Sequence, residues 1–466
     1  MLEKDESPAI LVARFLRTNG YNETLTAFLQ EAGLPVDAGI TTKGSLTIEN
    51  LIREKNLYDV TRNFEKSGLD EKEHGWKTPA PSKSIVLSLP SSSNVLCSST
   101  GMVEFENGHR RSVIISSTAD RRLTITSVVD GTSTTLISRT DVSDSPILSY
   151  QLLRDRYIIC GTMSGSLFVY DFVKSEVLST RKDHAKYVVN LATIESRSRI
   201  WLATAGWDSK VFIYSLDSTD SEIRNLENAV GTLTLPSNPE SITFVNHPDT
   251  NEPILVLGRR DSTFLYFYRL PLDQSGPPIE LKQAGRQNLA PHSNAWVAFT
   301  PCSISVSPVE PLTVAVATSS IPHMKLIIVR LLLPKLQDTG GLSQSESDPD
   351  APLTAAAMGR AELARQSRED VAMLVHVSTF ALQTQYSTPS LTWRPDGTGV
   401  WLNGDDGIVR GVEASTGRVK VSLEGHEPGS KIRCVFAGYL EDVQGSKREC
   451  LLSGGFDQRL ILWEIA

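Results

Sequence analysis

Ser453, His426 and Asp457 have the side-chain types of a nucleophile, a general base and the carboxylate that orients the base. Brought together beside an oxyanion hole, such a set would support acyl transfer. Thr204, His184 and Asp208 repeat the same types, and in both copies the hydroxyl lies four residues before the Asp. A nucleophile must also be exposed on a sharp turn, and the sequence has no GxSxG elbow. HExxH, GxxxxGK[ST] and a GxGxxG following a strand are missing too, as is any Cys/His cluster at metal spacing. A set that recurs inside a repeating chain reads as structural bonding. No catalytic residue, cofactor or metal is assigned, and an enzyme is not expected; labelling of Ser453 by an active-serine probe would overturn that.

The elements that must hold these residues are strands. From Ser84 onward, short apolar or β-branched runs alternate with turns of Gly, Asp, Ser and Pro. Seven times two strands flank such a turn, from SVIISSTADRRLTITSV through IWLATAGWDSKVFIYSL to CLLSGGFDQRLILWEI. Four strands per unit and seven units predict an all-β, seven-bladed propeller over 84–466. The sequence stops just after the third strand of its last unit, whereas residues 84–90 (SIVLSLP) form a strand with no unit of its own. Pairing that strand into blade seven would close the ring and remove two exposed edges. Residues 335–370 interrupt blade five after its third strand. Their first part is polar and expected to be disordered, with Ser345 and Ser347 among acids; the second part predicts a helix.

Two units have more detailed signatures. Asp183-His184 and Gly425-His426 stand upstream of the hydroxyl and the turn Asp, with Tyr214 and Trp463 six residues beyond that Asp. This pattern resembles WD40 repeats, which implies a hydrogen-bonded set of His184, Thr204, Asp208 and Tyr214, and another of His426, Ser453, Asp457 and Trp463. The dipeptides ending these strands are Tyr214-Ser215 and Trp463-Glu464, never Trp-Asp, and blade five has no turn Asp.

Ahead of the repeats, residues 7–39 read as a small helical unit. Ser7 and Pro8 suit a helix start, Asn19-Gly20 a stop, Asn22 a second cap and Gly33 a second stop. The stretch SPAILVARFLRTNGYNETLTAFLQEAGL resembles the LisH motif, a dimerisation device. Two helices of about three turns are too short to bury many large side chains alone. Leu11, Phe15, Leu25, Phe28 and Leu29 are therefore expected at a homodimer seam. Residues 40–83 read as a linker with a helical candidate at 47–66.

Composition narrows the partners. The 466 residues contain 46 Lys and Arg against 54 Asp and Glu, a net charge of −8 that disfavours nucleic acid. No run reaches the ~18 apolar residues of a membrane span, and the opening MLEKDESP is acidic, unlike a signal peptide. Five single cysteines without a CxxC suggest reduced thiols, in the cytoplasm or the nucleus. Proteins or peptides are the expected partners, docked where the turns between second and third strands emerge. Trp207, Arg260 and Phe456 each stand just before a turn Asp and are the expected contact residues. The resemblance implies a scaffold subunit of a multiprotein complex. Its variants are a ubiquitin-ligase substrate-recruiting subunit, a transcription corepressor, or a microtubule- or dynein-associated regulator. A propeller hydrolase is the remote alternative.

Overall fold

The computed structural model describes residues 8–41, 47–48, 76, 78–106, 108–129, 131–219, 222–223, 225–271, 276–291, 299–335, 355–442 and 445–465. The helical candidate at 47–66 lies almost wholly outside these residues. So do Ser7, Ser345 and Ser347. The chain divides into two compact units, Met1–Glu73 and His74–Ala466.

The first unit is a pair of helices, α1 (Pro8–Thr18) and α2 (Asn22–Glu31). Gly20 and Gly33, at φ 75° and 62°, take the left-handed conformation that ends each helix. Asn22 is not the cap: it is already the first helical residue, and Tyr21 occupies the cap position without a side-chain bond. The following segment then turns back onto α1. Arg17 donates to the carbonyls of Val36 and Ala38 at 2.7 and 3.0 Å. Gly39 lies so close to α1 that a Cβ there would stand 2.6 Å from the Arg14 backbone nitrogen.

The second unit is a closed ring of seven sheets, antiparallel except where Gly231–Thr234 at the edge of blade three pairs in parallel with Ile279–Glu280. Blades one to six span 95–139, 147–181, 188–234, 239–288, 301–382 and 391–424. Blade seven joins three strands of 432–464 to Lys83–Leu87, which pairs antiparallel with Leu460–Glu464. The innermost strand of each blade touches that of the next, blade seven against blade one included, so a central channel runs through the ring. Alternating strand residues fill the wedges between blades. Between blades three and four, for example, Ala203, Val211 and Ile213 face Leu255, Leu257 and Tyr266. Each such aliphatic side chain contributes about 1.5–3 kcal/mol by leaving water, and the ring shares that burial among seven wedges.

The ordered propeller begins before Ser84. Trp76 packs beside Trp401 at 5.4 Å and lies under Arg394 at 4.5 Å. Its ring fills the space that a Cβ on Gly399 or Gly411 would occupy. Arg394, wholly buried, forms a forked pair with Glu449 at 2.8 and 2.7 Å and reaches the Thr78 hydroxyl at 2.7 Å. The C-terminal end of the expected linker is thus a strap across blades six and seven. In blade five, helix α3 (Ala355–Ala372) precedes the outer strand. Its buried Glu369 accepts the Asn288 N–H of blade four at 2.9 Å, so the helix docks on its neighbour.

Candidate partner-docking face

The two hydrogen-bonded sets assemble within their blades. His426 Nε2 lies 2.8 Å from Ser453 Oγ, and its Nδ1 lies 2.9 Å from Asp457 Oδ2. Trp463 Nε1 donates to the same Ser453 oxygen at 2.9 Å. That oxygen therefore accepts from the indole and gives its own proton to Nε2, which leaves the imidazole proton on Nδ1 facing Asp457. Burial draws the His426 pKa down, although Asp457 opposes it, in keeping with a neutral ring. The spacing is that of a triad, but Ser453 is 0 % exposed and its lone pair is engaged, so no substrate carbonyl can reach it.

Blade three repeats the arrangement with one change. His184 bridges Asp208 and Thr204 at 3.0 and 2.9 Å, and the Ala185 N–H donates to Asp208 at 2.9 Å. Burial would raise the Asp208 carboxyl, yet these bonds hold it below the usual range. Tyr214 donates to Asp183 at 2.8 Å, where Trp463 serves the hydroxyl directly. Both sets pin the turn between second and third strands to the segment that enters the inner strand.

Backbone bonds at those turns place the expected contact residues. The N–H of Trp207 donates to Tyr187 O, that of Arg260 to Asn238 O, and that of Phe456 to Lys431 O, at 2.9, 2.8 and 2.9 Å. Each acceptor lies just before an inner strand, so all three residues sit on one face, around the channel mouth. Two of them touch: the Arg260 guanidinium lies 5.2 Å over the Trp207 ring. On the other side Tyr187, exposed, stacks against Trp207 at 5.7 Å. Arg260 is fixed in turn by Glu240, with Nε and Nη2 at 2.8 and 2.6 Å from one carboxylate oxygen. Phe456 is 44 % exposed and belongs to another stretch of the rim, beside Lys431, which pairs with Asp405 at 3.2 Å.

Glu240 was not legible as a site residue, nor were Tyr187 and Arg433. Six inner strands carry a register shift immediately after their first residue, at Leu96, Leu148, Val189, Glu240, Cys302 and Arg433. A bulge re-aims one side chain out of the ladder, and here it gives a ring of side chains at the channel mouth. Blades one to three contribute apolar residues, whereas blades four, five and seven contribute Glu, Cys and Arg. Burial lifts the Glu240 carboxyl, against the pull of Arg260 and then of Arg433 on the opposite side of the ring. The Cys302 thiol, half-buried and beside Glu240, is pushed up by desolvation to about 12 and is inert as a nucleophile. Burial lowers the Arg433 pKa, and its guanidinium has no hydrogen bond or ion pair among the described residues.

The expected seam residues of the helical unit divide into two groups. Leu25 and Leu29 are buried within the chain, against Ala13, Ala38 and flanking Ile10, Leu16 and Leu34, with Phe28 packed on the same cluster. Leu11 and Phe15 stay only half-buried, next to exposed Val12 and Tyr21. The returning segment 35–40 covers part of what the sequence left for a partner helix.

Among the described residues no three His, Cys, Asp or Glu side chains group as a metal site, and no helix is long and apolar enough to cross a membrane.

A small helical pair and a seven-bladed propeller define a class of protein-interaction modules. Residues 9–38 match the UCP007778 LisH domain, and residues 90–464 match the UCP007778 beta-propeller domain. The chain belongs to the UCP007778 family. No curated protein matches it.

Proposed function

We propose that this protein is a non-catalytic scaffold that pairs through its LisH helices and holds protein or peptide partners at the channel mouth of its propeller. The observation that carries the reading is the Tyr187–Trp207–Arg260–Glu240 stack. It presents a rigid aromatic anchor whose indole N–H has no partner among the described residues, across the channel mouth from Arg433, which has no hydrogen bond or ion pair among them. Rigid aromatic and arginine side chains with unspent hydrogen-bonding capacity are the groups that concentrate binding energy at interfaces. A partner segment with an apolar side chain against the Trp207 ring and a carboxylate near Arg433 would fit this mouth. Such burial of aromatic area and a desolvated charge pair is worth several kcal/mol.

The head supplies pairing through Leu11 and Phe15, backed by Leu25, Phe28 and Leu29. Two propellers on one dimer would raise avidity for paired or repeated targets. The WD40 character of the blades belongs to this reading as well: the sets around His184 and His426 hold the turns that present Trp207 and Phe456. Partners recovered with the native chain and lost with Trp207→Ala plus Arg260→Ala would support the face. Retention of every partner by that variant would overturn it.

A further inference from the structure

On the opposite face, blades three and four enclose a second site. The turn between the first two strands of blade three, the corresponding end of blade four and the end of blade four's third strand line a cavity of about 210 Å³. Its walls are Trp201, Pro253, Ile254, Leu270 and Pro271, and its rim is Arg197, Arg199, Arg269 and Glu252. Three guanidiniums against one carboxylate leave two positive charges at the cavity, on a chain whose net charge is −8.

These charges are only partly engaged. Arg269 pairs with Glu252 at 3.4 Å, and Arg199 donates to Ser215 Oγ at 3.2 Å. Asp217, opposite Arg199 in the ladder, does not line the cavity; it accepts from Thr219, and that bonding together with the charge of Arg199 holds its carboxyl below the usual range. Arg197 has no hydrogen bond or ion pair among the described residues, and its backbone sits in the left-handed region at φ 57°. Ser196, 8 % exposed and lining the cavity, has an Oγ with no hydrogen-bond partner among the described residues. That hydroxyl is itself buried, so the groups a ligand could reach are the partly engaged guanidiniums at the cavity.

From this geometry we infer that the cavity binds a dianionic phosphate monoester. Arginine forks match phosphate oxygens two at a time, and two surplus charges balance a dianion. The volume falls below the ~300 Å³ at which pockets begin to hold drug-sized molecules. It suits a phosphate on a short or single-ring stem lying against Trp201, and it is too small for a nucleotide. The monoester has two possible sources, a phosphorylated side chain of a protein or a small metabolite.

The test is calorimetric titration of the full chain with phenyl phosphate, with a phosphoserine peptide and with the same peptide unphosphorylated. Arg197→Gly suits the left-handed backbone and removes one guanidinium. Combined with Arg269→Gln it should weaken both phosphorylated ligands by at least ~10-fold. Glu252→Gln removes the competing carboxylate and should tighten them by about threefold, a gain that misfolding cannot imitate. A phosphopeptide much tighter than phenyl phosphate supports the site and assigns it to a phosphoprotein. Equal affinities support it and assign a small metabolite. Failure of both phosphorylated ligands to bind, or binding indifferent to all three substitutions, would overturn the inference.

Discussion

The buried imidazole of His426 is held neutral by an indole-saturated hydroxyl on one nitrogen and a carboxylate on the other. Its pKa is depressed in the folded chain, so the unfolded chain binds more protons as pH falls below about 6.5. Stability from this group is present above that pH and is lost below it. The Glu240 carboxyl works in the opposite sense, since its pKa is raised and stability returns as it is protonated. Thermal melts from pH 7 to 5.5 should therefore fall in the wild type, with a shallower slope in His426→Gln. Equal slopes would show that the imidazole is not the group responsible. Ser453→Ala would strand both the Trp463 N–H and His426 Nε2, at a cost of about 2–4 kcal/mol read from denaturant unfolding.

At the scale of elements, the strap ahead of the first strand matters as much as the strand. Trp76 lies where Gly399 and Gly411 leave room, and Arg394 joins it to Thr78 and Glu449. Trp76→Ala should cost about 3–5 kcal/mol. A chain beginning at Ser84 should melt below one beginning at His74 by several degrees in calorimetry. Equal melting would mean the strap is passive. What the sequence made legible follows the same division. Seven repeats and the closing strand could be read because strand patterning and hairpin turns are local. Two bonded sets could be read because His, hydroxyl and Asp recur at fixed spacing. Blade one, however, ties its turn Asp120 with Ser91, Ser93 and Arg122, and blade six uses Asn403, which leaves no shared signature. Trp76 was read as linker because its partners are two glycines far along the chain. The channel-mouth residues were missed because a bulge is a backbone event that side-chain patterns do not record.

For the whole molecule, the two halves of the proposed function separate experimentally. Light scattering on the purified chain should give twice the 51.1 kDa monomer mass, and Leu11→Asp with Phe15→Asp should halve it. Those positions are the less buried members of the seam, so the helical cluster around Leu25 and Leu29 should survive the change. The most direct test of the scaffold reading is affinity capture with mass spectrometry from native extract. It would compare the wild type, Trp207→Ala plus Arg260→Ala, and Leu11→Asp plus Phe15→Asp, each first matched in melting temperature. The account predicts a defined partner set that the face variant loses and the head variant keeps with reduced yield. An identical partner set on all three proteins would contradict it.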